Sequence, residues 1–209
     1  MRTSEWLQEV RLVGEHGTLI DVSDPGVIPA LDHWLRDRFG SLLDEVIPGG
    51  RTVMVLSSTA ARRAIQHELE NAQLRPAASA APRTVVIDVC YDGRDLPAVA
   101  EQTGLSVREV VRRHSEVEYR VDFFGFSPGQ AFFNGVPDGL RVPRRTVPRT
   151  RVPDGSLAIA NEYTVIYPPK APGGWNLIGR RVGPPLWNSE AVPPNMVSVG
   201  DRVVFVEKP

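Results

Sequence analysis

Apolar positions in the first third of the chain follow two periods. Residues 8–13 and 18–22 read as two short strands joined by a turn over 14–17. Val27, Ile28, Leu31, Trp34, Leu35 and Phe39 then recur at helical spacing. Asp24 is placed to cap that helix, Pro25 to open it, and Gly40 to end it. Residues 42–47 and 52–56 form a hairpin pattern across Pro48, Gly49 and Gly50, and Ala61, Ile65 and Leu69 mark one face of a second helix over 59–73. The order ββαββα predicts a small α/β sandwich of ferredoxin-like type, with helices on one face of a mainly antiparallel sheet.

The pattern breaks over 74–83, where LRPAASAAPR has the composition of a linker. Residues 85–89 make an apolar strand, and 95–104 a helix stopped by Gly104. Ser106 and Glu109 have capping-box spacing, and the helix they open turns Val107, Val110, Val111 and His114 to one side. Beyond residue 118 only short strands remain, at 119–124, 156–160, 164–167, 175–179 and 202–206, with Pro- and Gly-rich loops between them. That rhythm predicts a closed barrel or sandwich. The expected organisation is an α/β domain over 1–83, connecting elements over 84–115 and a β-barrel over 116–209, an α+β protein in class.

Composition narrows the function classes. Lys plus Arg number 24 against 25 Asp plus Glu, so no basic excess points to nucleic acid or an anionic membrane. Cys90 is the single cysteine, which excludes an internal disulfide and fits a reducing compartment. The N-terminal residues form no apolar leader and no apolar run approaches a membrane span. The expected location is the cytoplasm.

GFSPG (125–129) matches the nucleophile-elbow spacing, but the residue after Ser127 is Pro128, which has no N–H for an oxyanion hole. No histidine follows Ser127 either. No phosphate-binding Gly-Lys-Ser/Thr loop is present, so no nucleotide motif is recognisable, and the scattered histidines with a lone cysteine give no metal-ligand spacing. Arg141, Arg144, Arg145, Arg149 and Arg151 fall within eleven positions. They fit a solvated strand edge, a nucleic-acid contact or a clamp for a carboxylate or carbonyl. His114 reads either as a buried, hydrogen-bonded histidine or as a ligand-facing group, and Trp175 either as core or as a lid.

Several ordered motifs complete the reading: CYDG (90–93), LSVREVVRRHSEVEYRV (105–121), GFSPG, PRRTVPRTRVPDGS (143–156), IYP (166–168), PGGWNLIGR (172–180) and GDRVVF (200–205). They resemble the family of the 5-oxoprolinase B component, also known as allophanate hydrolase subunit 1 and the Kip-type histidine kinase inhibitor. The resemblance implies a cyclophilin-like barrel in the C-terminal half. It implies a subunit inactive alone that pairs with a larger homologous protein (allophanate hydrolase subunit 2 or the C component of 5-oxoprolinase) and with the A component. The complex would use ATP to open a cyclic amide or a urea-derived C–N bond. Inhibition of a sensor histidine kinase, a carboxyltransferase role in a urea carboxylase system and, from the barrel alone, prolyl isomerisation are the alternatives it leaves open. It implies substrate-binding roles for His114, Arg144, Arg149, Tyr163, Tyr167 and Trp175, and loop-holding roles for Gly125, Pro128, Gly129, Gly173, Gly174 and Gly179. The chain departs from the family pattern at Gln130, where an aromatic is usual, at Tyr163, where the family has glutamine, and at Asn161 and Val165, both usually glycine.

Overall fold

The computed structural model describes residues 5–69, 71–72, 74 and 83–209. They belong to two compact units that divide between residues 81 and 82. Of the expected linker over 74–83, residues 75–82 lie outside the described residues, as do positions 70 and 73 at the end of the second predicted helix.

The first unit runs β1 (Leu7–Val13), β2 (Gly17–Val22), α1 (Ile28–Phe39), β3 (Leu43–Pro48), β4 (Thr52–Ser57) and α2 (Thr59–Leu69). The strands lie in the order β1-β2-β4-β3, every neighbour antiparallel. Ile20 and Val22 of β2 and Val53 and Val55 of β4 pack with Leu31 and Leu35 of α1 and Ile65 and Leu69 of α2, so one face of the sheet carries both helices. Asp24 does cap a turn, accepting from Gly26 N at 2.9 Å, but the turn is a 3₁₀ segment over Pro25–Val27 and the α-helix starts only at Ile28.

The second unit holds β5 (Thr84–Cys90), α3 (Leu96–Thr103), α4 (Val107–Ser115), β6 (Glu118–Phe124), β7 (Ala131–Asn134), β8 (Arg149–Val152), β9 (Ser156–Ala160), β10 (Tyr163–Ile166), β11 (Ala171–Gly173), β12 (Asn176–Arg181) and β13 (Arg202–Glu207). Seven strands close into a barrel in the order β10-β7-β6-β13-β5-β12-β9. The segment 84–115, read from sequence as a connection, is therefore part of the barrel unit. Its strand β5 pairs in parallel with β13 and antiparallel with β12. Val89, Val121, Phe133, Leu157, Ile159, Ile178 and Phe205 fill the barrel, and α3 and α4 add Leu96, Val99, Val110 and Val111 to the same core.

Strand β9 is buried along its whole length. Its outward residues are the small Ala158 and Ala160, and a two-stranded sheet of β8 and β11 covers them through Val152 and Ala171. Two glycines allow the CYDG turn to cross β12. A Cβ on Gly93 would meet the Ile178 carbonyl carbon at 2.2 Å, and one on Gly179 the Cys90 oxygen at 2.4 Å. Ser106 caps α4 by accepting from Glu109 N at 3.2 Å, but the capping box is one-sided. The Glu109 carboxylate takes the guanidinium donors of Arg112 and Arg113, which outcompete a neutral backbone N–H. Among the described residues no helix is long and apolar enough to cross a membrane.

Candidate functional site

The arginine-rich loop between β7 and β9 is fastened from below by one buried carboxylate. Asp95, just before α3, is 5% exposed and accepts from Leu177 N at 2.7 Å, from Arg149 Nη2 at 2.6 Å and from Arg145 Nη1 at 3.2 Å. Two guanidinium groups thus share one carboxylate, and Arg149 Nη1 and Arg145 Nε are buried without hydrogen-bond partners among the described residues. Arg149 and Arg145 are consequently tied through Asp95 to β12, with side chains 15% and 35% exposed. Asn176 Nδ2 adds a bond to the Pro143 carbonyl at 2.9 Å, which fixes the loop's other end.

Arg144 lies between these anchors and is exposed. It forms no ion pair with any described carboxylate, and its guanidinium carbon stands 5.6 Å over the Trp175 ring. Together with Phe126, Gln130, Phe132, Tyr167, Gly173 and Gly174, these two residues line a cavity of about 120 Å³. Phe132 and Trp175 meet edge-on at 5.7 Å. Tyr167 is buried, and a Cβ on Gly173 would sit 2.2 Å from its hydroxyl oxygen, so only glycine permits that placement. Burial pushes the Tyr167 hydroxyl above its ordinary pKa, while a backbone hydrogen bond of Trp175 and the charges of Arg144 and Arg149 pull it back. No carboxylate, histidine or cysteine lines the cavity. Its polar groups are a guanidinium, a phenol and a carboxamide, an arrangement suited to hold an anionic, acceptor-rich ligand rather than to break its bonds.

The GFSPG loop forms the rim. Ser127 N bonds to Gly125 O at 2.8 Å and Gly125 N to Gln130 O at 3.1 Å, closing a tight turn around Pro128. Phe126 is 66% exposed and has φ 70°, a left-handed conformation that costs a non-glycine residue roughly 1–2 kcal/mol. Gly129 abuts the Trp187 ring.

Of the six residues proposed from sequence, the structure brings Arg144, Tyr167 and Trp175 to the cavity. Arg149 lies behind it, committed to Asp95. Tyr163 turns away: its hydroxyl donates to Asp122 Oδ2 at 3.2 Å, and its ring packs edge-on against Phe123 and Phe132. Asn161 keeps a left-handed φ of 51°, a conformation asparagine tolerates, and Val165 is core. His114 is completely buried in the barrel, away from the cavity. Thr164 Oγ1 donates to the Ala158 carbonyl at 3.0 Å and so must accept from His114 Nε2–H at 3.1 Å. Nδ1 then accepts from the Tyr91 hydroxyl at 2.8 Å. Burial pushes its pKa down to about 3, leaving a neutral imidazole in one tautomer. Sequence reading gave no site role to Phe126 or Phe132 and marked Gln130 only as a departure from the family pattern, yet all three line the cavity. The available signal was their clustering around Pro128 and Gly129, where a rigid turn displays its neighbours.

Comparison with known proteins follows the same outline. The family described as carboxyltransferase domain, subdomain C and D, matches residues 4–197. The 5-oxoprolinase B component of Escherichia coli O157:H7 is 34% identical over 93% of this chain and 94% of its own length. The crystal structure of TTHA0988 superposes with a TM-score of 0.79 at 32% identity over 92% of this chain, which spans only 39% of that longer chain. The Kluyveromyces lactis urea carboxylase shares the fold alone, with a TM-score of 0.74 at 14% identity over 96% of this chain and 22% of that one.

Proposed function

This chain belongs to the family of the 5-oxoprolinase B component, within the carboxyltransferase subdomain C and D group, and we propose that it is a non-autonomous subunit of an ATP-dependent complex that opens the C–N bond of a cyclic amide. The observation that carries this reading is the chemistry of the cavity: donors without a nucleophile, a base or a metal-ligating group. Such a site binds and orients, and the bond-breaking groups must come from elsewhere. The complex would supply them through a larger homologous protein, of the type of the 5-oxoprolinase C component or allophanate hydrolase subunit 2, together with the A component. ATP would be consumed by the assembly, since this chain carries no recognisable nucleotide motif. Arg144 is the group proposed to receive the substrate carboxylate, with Tyr167 donating beside it over the Trp175 and Phe132 rings.

The test is reconstitution. The chain is co-purified with the larger homologous protein and the A component, and ATP hydrolysis dependent on 5-oxoproline is measured, with allophanate as the competing substrate. Turnover should require every protein of the complex. Arg144→Ala should lower kcat/KM for 5-oxoproline by roughly 10- to 100-fold, the loss of one charged hydrogen bond, while assembly stays intact. Turnover by the single chain, absence of any association, or an unchanged Arg144→Ala complex would each overturn the proposal.

A further inference from the structure

Gln130 is an almost fully buried polar residue of the cavity lining. It is 2% exposed, yet it contributes to the wall. Ser127 Oγ donates to Gln130 Oε1 at 3.3 Å, which orients the carboxamide from the rim turn. Its backbone is bonded within the same turn, with Gln130 N bonded to Ser127 O and Gln130 O accepting from Gly125 N. The amide nitrogen has no hydrogen-bond partner among the described residues. A side-chain donor that the protein leaves unpaired at a cavity wall is open to an acceptor that enters the cavity. The two other polar side chains of the cavity, those of Arg144 and Tyr167, can also donate, so the lining offers three side-chain donors to an entering ligand.

We infer that Gln130 is a specificity-determining residue: its side-chain N–H donates to a carbonyl oxygen of a small cyclic monocarboxylate whose carboxylate meets Arg144. This rests on reading the cavity as the substrate-binding site of the proposed complex, and it adds which ligands that site accepts. A hydrocarbon ring carrying only the carboxylate satisfies Arg144 and the aromatic walls but leaves the carboxamide unpaired. A ring that also carries a carbonyl satisfies all three. Sites of this kind discriminate against the analogue that lacks the hydrogen-bonding group. All the lining residues come from this chain, so the selectivity belongs to the isolated protein.

The experiment uses the full chain and two probes that differ in one carbonyl oxygen, 3-oxocyclopentanecarboxylate and cyclopentanecarboxylate, titrated by calorimetry. The wild-type protein should bind the oxo probe roughly tenfold more tightly, about one hydrogen bond in free energy. In Gln130→Leu the ratio should fall to about one, with the affinity for cyclopentanecarboxylate kept. Gln130→Met, which preserves length without a donor, serves if the leucine variant does not fold. In the wild-type protein the oxo probe, and not its analogue, should shift the Gln130 side-chain amide resonances. Equal affinities in wild type, or a ratio that survives in both variants, would overturn the role of Gln130 and leave the proposed function standing. Failure of both probes to bind would overturn the carboxylate-site reading together with it.

Discussion

Two sets of polar groups in the barrel unit, those around His114 and those at the cavity, are finished differently. Around His114 each side-chain bond has an internal answer: Tyr91 donates to Nδ1, Nε2–H donates to Thr164, Thr164 donates to Ala158, and Tyr119 donates to the His114 carbonyl. The ring lies 5.1 Å from both Tyr119 and Phe205. At the cavity, by contrast, Arg144 has only an aromatic face for company, and the Gln130 amide nitrogen has no partner among the described residues. A closed network specifies a core, whereas donors without an internal partner stay available to solvent or to a ligand. Depth of burial and chemical type favour His114 as the functional group. Completeness of hydrogen bonding favours the cavity.

Three measurements would sharpen or break that contrast. The largest effect is expected at Asp95, which holds the arginine loop beneath the cavity. Asp95→Ala leaves Arg149 and Arg145 facing each other without a carboxylate and frees Leu177 N. Losing one partner of a buried ion pair costs roughly 3–5 kcal/mol. Urea unfolding, with exchange protection of the β12 amides to identify the barrel transition, reads this directly. A loss under about 1 kcal/mol would show that the loop is held by something else.

The second concerns the closed network. His114 has its pKa lowered from 6.5 to about 3 by burial, so the folded state stays neutral where the unfolded chain binds a proton. Stability attributable to this residue is therefore full above pH 6.5 and declines as the pH falls toward 3. The slope approaches about 1.4 kcal/mol per pH unit, on the order of 3 kcal/mol by about pH 4. Stability of the wild type and of His114→Gln measured across that window should converge by this amount toward acid. Parallel curves would mean that the imidazole is protonated inside the barrel.

The smallest effect is at the rim. Phe126→Gly removes a left-handed strain from a side chain that is mostly in water, and should raise stability by up to about 1 kcal/mol while weakening probe binding at the cavity. A destabilised variant would show that Phe126 contributes to packing rather than to the mouth of the site.

What the sequence made legible is what is local. The turn over 14–17, Gly104 as a left-handed helix stop and Ser106 as a cap each depend on neighbours a few positions away. What it hid is long-range. Val85 pairs with Val203 across the whole second unit, so a strand that looked like a connection closes the barrel. The five arginines formed one cluster in sequence, but Asp95 divides them, taking Arg145 and Arg149 while Arg144 stands over the Trp175 ring. Nothing at Asp95 itself announces partners 50 and 54 residues away. Gln130 stood out in sequence only as a departure from the family pattern. Its meaning required the Ser127 contact that orients its carboxamide.

The parallel pairing of β5 with β13 also has a mechanical consequence. Six residue pairs join these strands, from Thr84 with Arg202 to Val89 with Glu207. Because the strands run the same way, the chain enters the ladder at one end and leaves it at the other. Tension applied at the two boundaries of the barrel would load all six pairs at once, in shear, instead of peeling them apart one by one. Sequence-distant strands that close the fold are thereby also its clamp against pulling.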